Sequence, residues 1–301
     1  MRPHGQAVPR GRRWDRRQHD DGRPALIPRV VHFVFGLRSQ DEPFHLLHYI
    51  AIASCLAVVQ PDEIVLHVHE LPYGLYWDLA RPLVRLERTD PIDAVDRAVP
   101  EEFRPFAYAH HADVIRLDVL EREGGMYADI DTIFCQPVPE ALWAEGVVIG
   151  READVTYPES PVAEASLSNA LIMAQPGTWF ISEWRRRILG AMDATWSGHS
   201  CRLATRLTDQ RPERVHIEPQ TRFSPYDHTA AGLRALLEEP WMPTALEATT
   251  SVHLMAHLWW HRNRRDFVAF SASDASEAHL RAGDTPLAHL ARPFLPSHGL
   301  F

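Results

Sequence analysis

Two apolar segments, residues 29–35 and 63–69, flank a helical run over 43–59, and this order does most to limit what the chain can fold into. The first, Arg29-Val30-Val31-His32-Phe33-Val34-Phe35, is rich in β-branched and aromatic residues and is closed by Gly36. In the second, Ile64, Leu66 and Val68 alternate with Val65, His67 and His69. Strand, helix and strand in that order predict a parallel pair joined by a crossover, the unit of an α/β sheet. A short helix at 75–83 and a third strand at 84–87 continue the series. A helix over 107–123 follows, with strands at 126–130, 146–150 and 170–174. Beyond Pro176 helices dominate, at 179–192, 202–208 and 230–237, with a late strand-like segment at 252–259.

The chemistry concentrates at Gly124-Gly125-Met126-Tyr127-Ala128-Asp129-Ile130-Asp131. Paired glycines let the chain turn tightly from helix into strand. On an extended backbone Asp129 and Asp131 point the same way, and two adjacent anions are best tolerated with a cation between them. Carboxylate oxygens suit a hard divalent ion held against a phosphate. Upstream, Asp113 and Arg116 lie three residues apart and share a helix face with Leu117 and Leu120. Alone that pair reads as an intrahelical ion pair; its spacing to the two aspartates turns it towards a substrate.

Composition removes several function classes. The net charge of −9 provides no global basic field for nucleic acid. All 31 basic residues are arginine, so Schiff-base lysines, the Walker-A lysine and lysine general bases are absent. Cys55, Cys135 and Cys201 are too far apart for a metal or redox pair, which points to a reducing compartment, the cytoplasm. No apolar run is long enough to span a bilayer; the nearest, 44–59, is broken by His45, His48, Tyr49 and Ser54. Residues 1–25 hold seven arginines and almost nothing apolar, and are expected to be a disordered tail.

The run Ala112-Asp113-Val114-Ile115-Arg116 together with Gly124 to Asp131 resembles the DxD sugar-binding region of family-32 glycosyltransferases, and is similar also to the catalytic domain of the large clostridial glucosylating toxins. The match is dense over 107–135, fainter at 27–36 and at Ala256-His257-Leu258-Trp259, and absent between. The resemblance implies an α/β GT-A fold, a Rossmann-like sugar-nucleotide transferase with a mainly parallel sheet and additional C-terminal helices. On that basis the domain runs from 26 to 270, with an extension at 271–301. It implies a UDP-sugar or other nucleotide-sugar donor, Mn²⁺ or Mg²⁺, and retention of anomeric configuration. Phe35, with Val34 before it, takes the position of an aromatic that stacks on uracil; Asp113, Arg116 and Asn169 take those of donor-sugar contacts. Asp129 and Asp131 become metal and ribose ligands, with Asp131 direct, and Asp131, Asp129 and Arg116 the catalytic set. His257 completes the metal site, with His253 the other possibility; Trp two residues later favours His257. The acceptor is a glycan, a lipid-linked glycan, a small molecule or a protein.

Three other readings compete. Asp129-Ile130-Asp131-Thr132 also spells the D-x-D-x-T nucleophile motif of haloacid-dehalogenase phosphatases, but it comes late in the chain and no lysine follows it. His253, His257 and His261 stand four apart, as zinc ligands can, although 18 histidines make such spacing easy to reach. A non-catalytic sugar-nucleotide-binding protein is the third. His110 and His111 read as helix surface, and Arg185-Arg186-Arg187 as a solvated helix face.

Overall fold

β1 (Val30–Phe35) and β2 (Glu63–Val68) pair in parallel throughout, from Val30 opposite Glu63 to Phe35 opposite Val68. In this computed structural model they lie inside a seven-stranded sheet of order β3-β2-β1-β4-β7-β6-β8. The remaining strands are β3 (Arg85–Arg88), β4 (Gly125–Ala128), β6 (Val147–Val155), β7 (Glu164–Ala174) and β8 (His216–Glu218). Only β7 runs against the others, pairing antiparallel with β4 and β6. A second, two-stranded sheet pairs β5 (Thr132–Phe134) with β9 (Ser251–His253). The structure describes residues 26–157, 159, 162–193, 195–242, 246–261 and 268–297; the Arg-rich stretch lies outside them.

The helices are α1 (Leu46–Ser54), α2 (Leu75–Ala80), α3 (Asp93–Ala98), α4 (Ala107–Glu123), α5 (Glu140–Trp143), α6 (Trp179–Ile188), α7 (Leu203–Gln210), α8 (Gln220–Phe223), α9 (Ala230–Leu237), α10 (Glu277–Ala282) and α11 (Pro286–Ala291). Both faces of the large sheet are covered, which is why its strands read as continuous apolar runs. One face buries Phe33, Leu66, Met126 and Met173 with Ile52 of α1. The other buries Val34, Tyr127 and Ile172 with Leu117 of α4 and Trp184 of α6. Each such side chain contributes about 1.5–3 kcal/mol of transfer free energy.

The expected α/β class holds, with a mostly parallel central sheet. Its boundaries differ in places. The segment 252–259 is a strand only to His253, because Met255 turns left-handed (φ 52°) and starts a short 3-10 turn at Ala256–Leu258. The run 43–59 is α-helical only over α1 and finishes as a π-helical turn at Cys55–Val59. The polar C-terminal stretch carries α10 and α11, whose Leu280, Leu287 and Leu290 pack with Leu46, Leu47 and Ile50 of α1 and with Ile133 and Val252 of the small sheet.

Candidate active site

Helix α4 ends at Gly124, and the chain reverses into β4 through two glycines at φ 68° and 101°. A Cβ on Gly125 would come within 2.6 Å of the Val30 carbonyl oxygen, and one on Gly124 within 2.8 Å of that of Ala174. No residue but glycine fits either position without displacing backbone. β4 pairs with β1, Val31 opposite Met126 and His32 opposite Tyr127, so Phe35 and Asp129 emerge on the same sheet edge. That edge lies beyond the carboxyl ends of parallel strands, where open α/β sheets take their ligands.

Arg116 is the hub of this edge. Its NH2 group lies 2.8 Å from Asp113 Oδ1 and 3.3 Å from Asp129 Oδ1. NH1 donates to the Asn169 carbonyl oxygen, and the guanidinium stacks 4.4 Å from the centre of the Tyr127 ring. The Tyr127 hydroxyl donates to Asp129 Oδ1 at 2.7 Å. Asn169 Nδ2 donates to Asp113 Oδ1 at 2.7 Å, and His199 Nε2 lies 2.8 Å from Asp113 Oδ2. Four residues predicted for the donor site, Asp113, Arg116, Asp129 and Asn169, thus form one bonded network. Burial opposes charge on Asp113, yet Arg116, His110 and His199 hold it far below the usual carboxylate range. Burial likewise opposes charge on Arg116, and Asp129, Tyr127 and Asp113 more than offset it.

The small sheet brings in the imidazole. Thr132 of β5 pairs with His253 of β9, and the Leu254 N–H donates to the Asp131 carbonyl oxygen at 2.9 Å. The left-handed Met255 then folds the chain back, so that the Ala256 N–H donates to Asp131 Oδ2 at 2.7 Å. As a result His253 Nε2 sits 3.3 Å from Asp131 Oδ1 and 3.7 Å from Asp129 Oδ2. Of the two histidines that the sequence left open, His253 is the one whose ring meets both aspartates. His257 stacks on Trp196, with centroids 5.2 Å apart, and its charge also helps to hold Asp131 low. His261 is exposed and joins no ligand group with them among the described residues.

The ligating atoms of Asp129, Asp131 and His253 all lie within 4.8 Å of one another. Burial works against a charged Asp131, but His253 and the Ala256 N–H hold it well below the usual range. Burial, reinforced by Asp131, raises Asp129 despite Arg116 and His253. Burial alone would lower His253, but the two carboxylates push it up to about 9. Two carboxylate oxygens and one imidazole nitrogen, which must give up its proton to ligate, suit a divalent ion of the Mn²⁺ kind. A second group, His110, Asp113 and His199, is fully buried. There Asp113 is already committed to Arg116, Asn169 and His199, and the buried guanidinium 2.8 Å away repels a cation.

Phe35 is half-buried, with edge-on contacts to Phe44 and His48 at 4.9 and 5.0 Å. The side chain of Val34 is core, buried with Val114 and Leu117. His110 and His111 are not helix surface; both are 3% exposed, His111 bonded to Asp96 and to the Ile92 N–H. The arginines at 185–187 are indeed a solvated face, paired with Asp118, Glu121 and Glu183. Sequence reading missed Tyr127 and His199 as members of the network. Tyr127 sat inside the motif with its phenol two residues from Asp129; His199 comes from a distant π-helical turn, Gly198–Arg202, that no local pattern announces.

Residues 85–149 match the model of the family described as "Glycosyltransferase sugar-binding region containing DXD motif". The chain is 32% identical over 208 residues, 66% of its own length, to glucan organizing enzyme 1 of Cryptococcus neoformans var. grubii, and spans 54% of that protein. Among solved structures it is similar to galactosyltransferase LgtC in complex with donor and acceptor sugar analogs, with TM-score 0.44 and 13% identity over 89% of this chain and 97% of that one. A likeness to the PaToxG glycosyltransferase has TM-score 0.41 and 13% identity, covering 90% of this chain and 88% of the other.

Proposed function

Because the chain carries the DXD-containing sugar-binding region of the glycosyltransferases, as its resemblance to family 32 led one to expect, we propose that it moves a sugar from a nucleotide-sugar donor, a UDP-sugar by preference, onto a glycan, lipid-linked glycan or small-molecule acceptor. The observation that carries this reading is the convergence of Asp129, Asp131 and His253 beside the bonded network of Asp113 and Arg116. The family assignment also speaks against the phosphatase reading of the same aspartates. Three free cysteines, two of them buried, support a reducing compartment, and no helix among the described residues is long and apolar enough to cross a membrane.

Asp129, Asp131 and His253 are the residues that would hold Mn²⁺ or Mg²⁺, and such an ion would supply charge stabilisation for a departing diphosphate. Asp131 is fixed for that task by the Ala256 N–H, and Asp129 by the Tyr127 hydroxyl and Arg116. Asp113 and Arg116 orient the donor sugar through its hydroxyls, and Asn169 keeps the Asp113 carboxylate in place. Phe35 stacks on the base. With the donor so positioned, attack from the leaving-group side needs little beyond alignment and charge stabilisation, which gives retention.

The test is a panel of UDP- and GDP-sugars incubated with Mn²⁺, following nucleotide release and product anomers by NMR. Donor-selective turnover that stops in excess EDTA is the expected result. Full activity in EDTA would refute the metal, an inverted product the stereochemistry, and sugar-independent phosphate release the transferase itself.

A further inference from the structure

His48 stands in the first turn of α1, the helix that follows β1 and Phe35. Its ring stacks face to face on Trp260, with centroids 4.9 Å apart and planes 7° from parallel. Phe35 and Phe44 meet it at 5.0 and 5.2 Å and steep angles. Within this aromatic enclosure Nδ1 is buried and has no hydrogen-bond partner. Buried polar atoms are nearly always paired, and each exception calls for a reason. Buried His32 and His111 spend both ring nitrogens on partners, His32 on His67 and the Gly124 carbonyl, His111 on Asp96 and the Ile92 N–H, while His110 also leaves one nitrogen, Nε2, without a partner.

Position supplies the reason. The ring adjoins Phe35, on the sheet edge from which Asp129 also emerges, and the charge of Asp131 acts on it. Burial and the neighbouring His45 lower its pKa to about 3, which keeps the imidazole neutral with one donor and one acceptor nitrogen. A neutral ring of that kind matches the amide-like edge of a base or the hydroxyls of a ribose, and matches a diphosphate poorly.

We propose that His48 is a nucleoside-binding residue, hydrogen-bonding the base or ribose of the donor nucleotide beside Phe35. The proposal rests on the donor reading given above and extends it to a residue outside the DxD region. Trp260 fixes the ring plane, so the hydrogen bond is set before the nucleotide arrives.

The experiment is calorimetric titration of the full chain with UDP and, separately, with pyrophosphate, both with Mn²⁺. His48→Phe keeps an aromatic ring on Trp260 and removes both nitrogens, and His48→Leu removes both nitrogens without the ring should the Phe variant not melt cooperatively. Either is expected to raise the Kd for UDP by about tenfold and to leave pyrophosphate unchanged. His48→Asn, which returns a polar atom near Nδ1, should recover part of the loss. Equal UDP affinity in wild type and variants, or an equal loss for pyrophosphate, overturns the role of His48 while the donor reading stands. A wild-type chain that binds neither UDP nor GDP overturns the donor reading and His48 with it.

Discussion

His253 lies directly across the short antiparallel ladder from Thr132, with its imidazole 3.3 Å from Asp131. The two residues are separated by more than a hundred positions in the chain. His253→Ala is therefore expected to weaken Mn²⁺-dependent donor binding at least a hundredfold, and His257→Ala by no more than about tenfold. Titration of both variants with UDP and Mn²⁺ decides the matter; the reverse order of effects would return the ligand role to His257.

Gly125 tests the turn. At φ 101°, with a Cβ position 2.6 Å from the Val30 carbonyl oxygen, Gly125→Ala must displace either β1 or β4. A loss of about 2 kcal/mol or more in urea denaturation is expected, together with lost donor binding in the protein that still folds. Wild-type stability would show that the turn relaxes at no cost.

Asp113 tests the network. Arg116 is 4% exposed, and Asp113→Ala leaves it one fewer carboxylate and leaves Asn169 Nδ2 without its acceptor. Breaking such a buried pair costs about 3–5 kcal/mol. Asp131→Ala, which leaves the Arg116 network intact, should abolish transfer with a smaller change in melting. Equal destabilisation by the two substitutions would mean that Asp113 has no special structural weight.

Acid sensitivity should come from His32 and His67. Their rings bond to each other at 3.1 Å, and His32 donates to the Gly124 carbonyl oxygen. Burial lowers His32 to about 4, and burial with the neighbouring His32 ring lowers His67 well below its ordinary value of 6.5. Groups that stay neutral in the folded state but take up a proton when unfolded favour folding fully above pH 6.5. That advantage is lost as the pH falls towards 4, by on the order of 3 kcal/mol for His32. Urea melts at pH 7 and 4.5 measure it. The double variant H32Q/H67Q should be less stable at pH 7 and lose less between the two pH values; an unchanged slope would place the acid sensitivity elsewhere.

What the sequence made legible was local. β1, β2, α4 and the Gly-Gly turn each carry their pattern within a few residues, and α4 has the predicted limits, Ala107–Glu123. The DxD pair and the Asp113–Arg116 spacing were readable for the same reason. The choice between His253 and His257 was not legible because the partner strand of His253 is three residues long and far away, so nothing near residue 253 records the pairing. His199 reaches Asp113 across 86 positions, and His110 and His111 are buried by chain that a helical pattern cannot reveal. The helices α10 and α11 are six residues each, too short for periodicity to stand out from a polar background.

The small β5–β9 sheet has a consequence for how such a domain can be cut or transplanted. The segment matched by the family model ends at 149, yet the imidazole beside its aspartates arrives from 253 and the ring stacked on His48 from 260. The recognisable motif is thus only one jaw of a clamp. A fragment or chimera that keeps the motif but exchanges the C-terminal third keeps the signature and loses the grip.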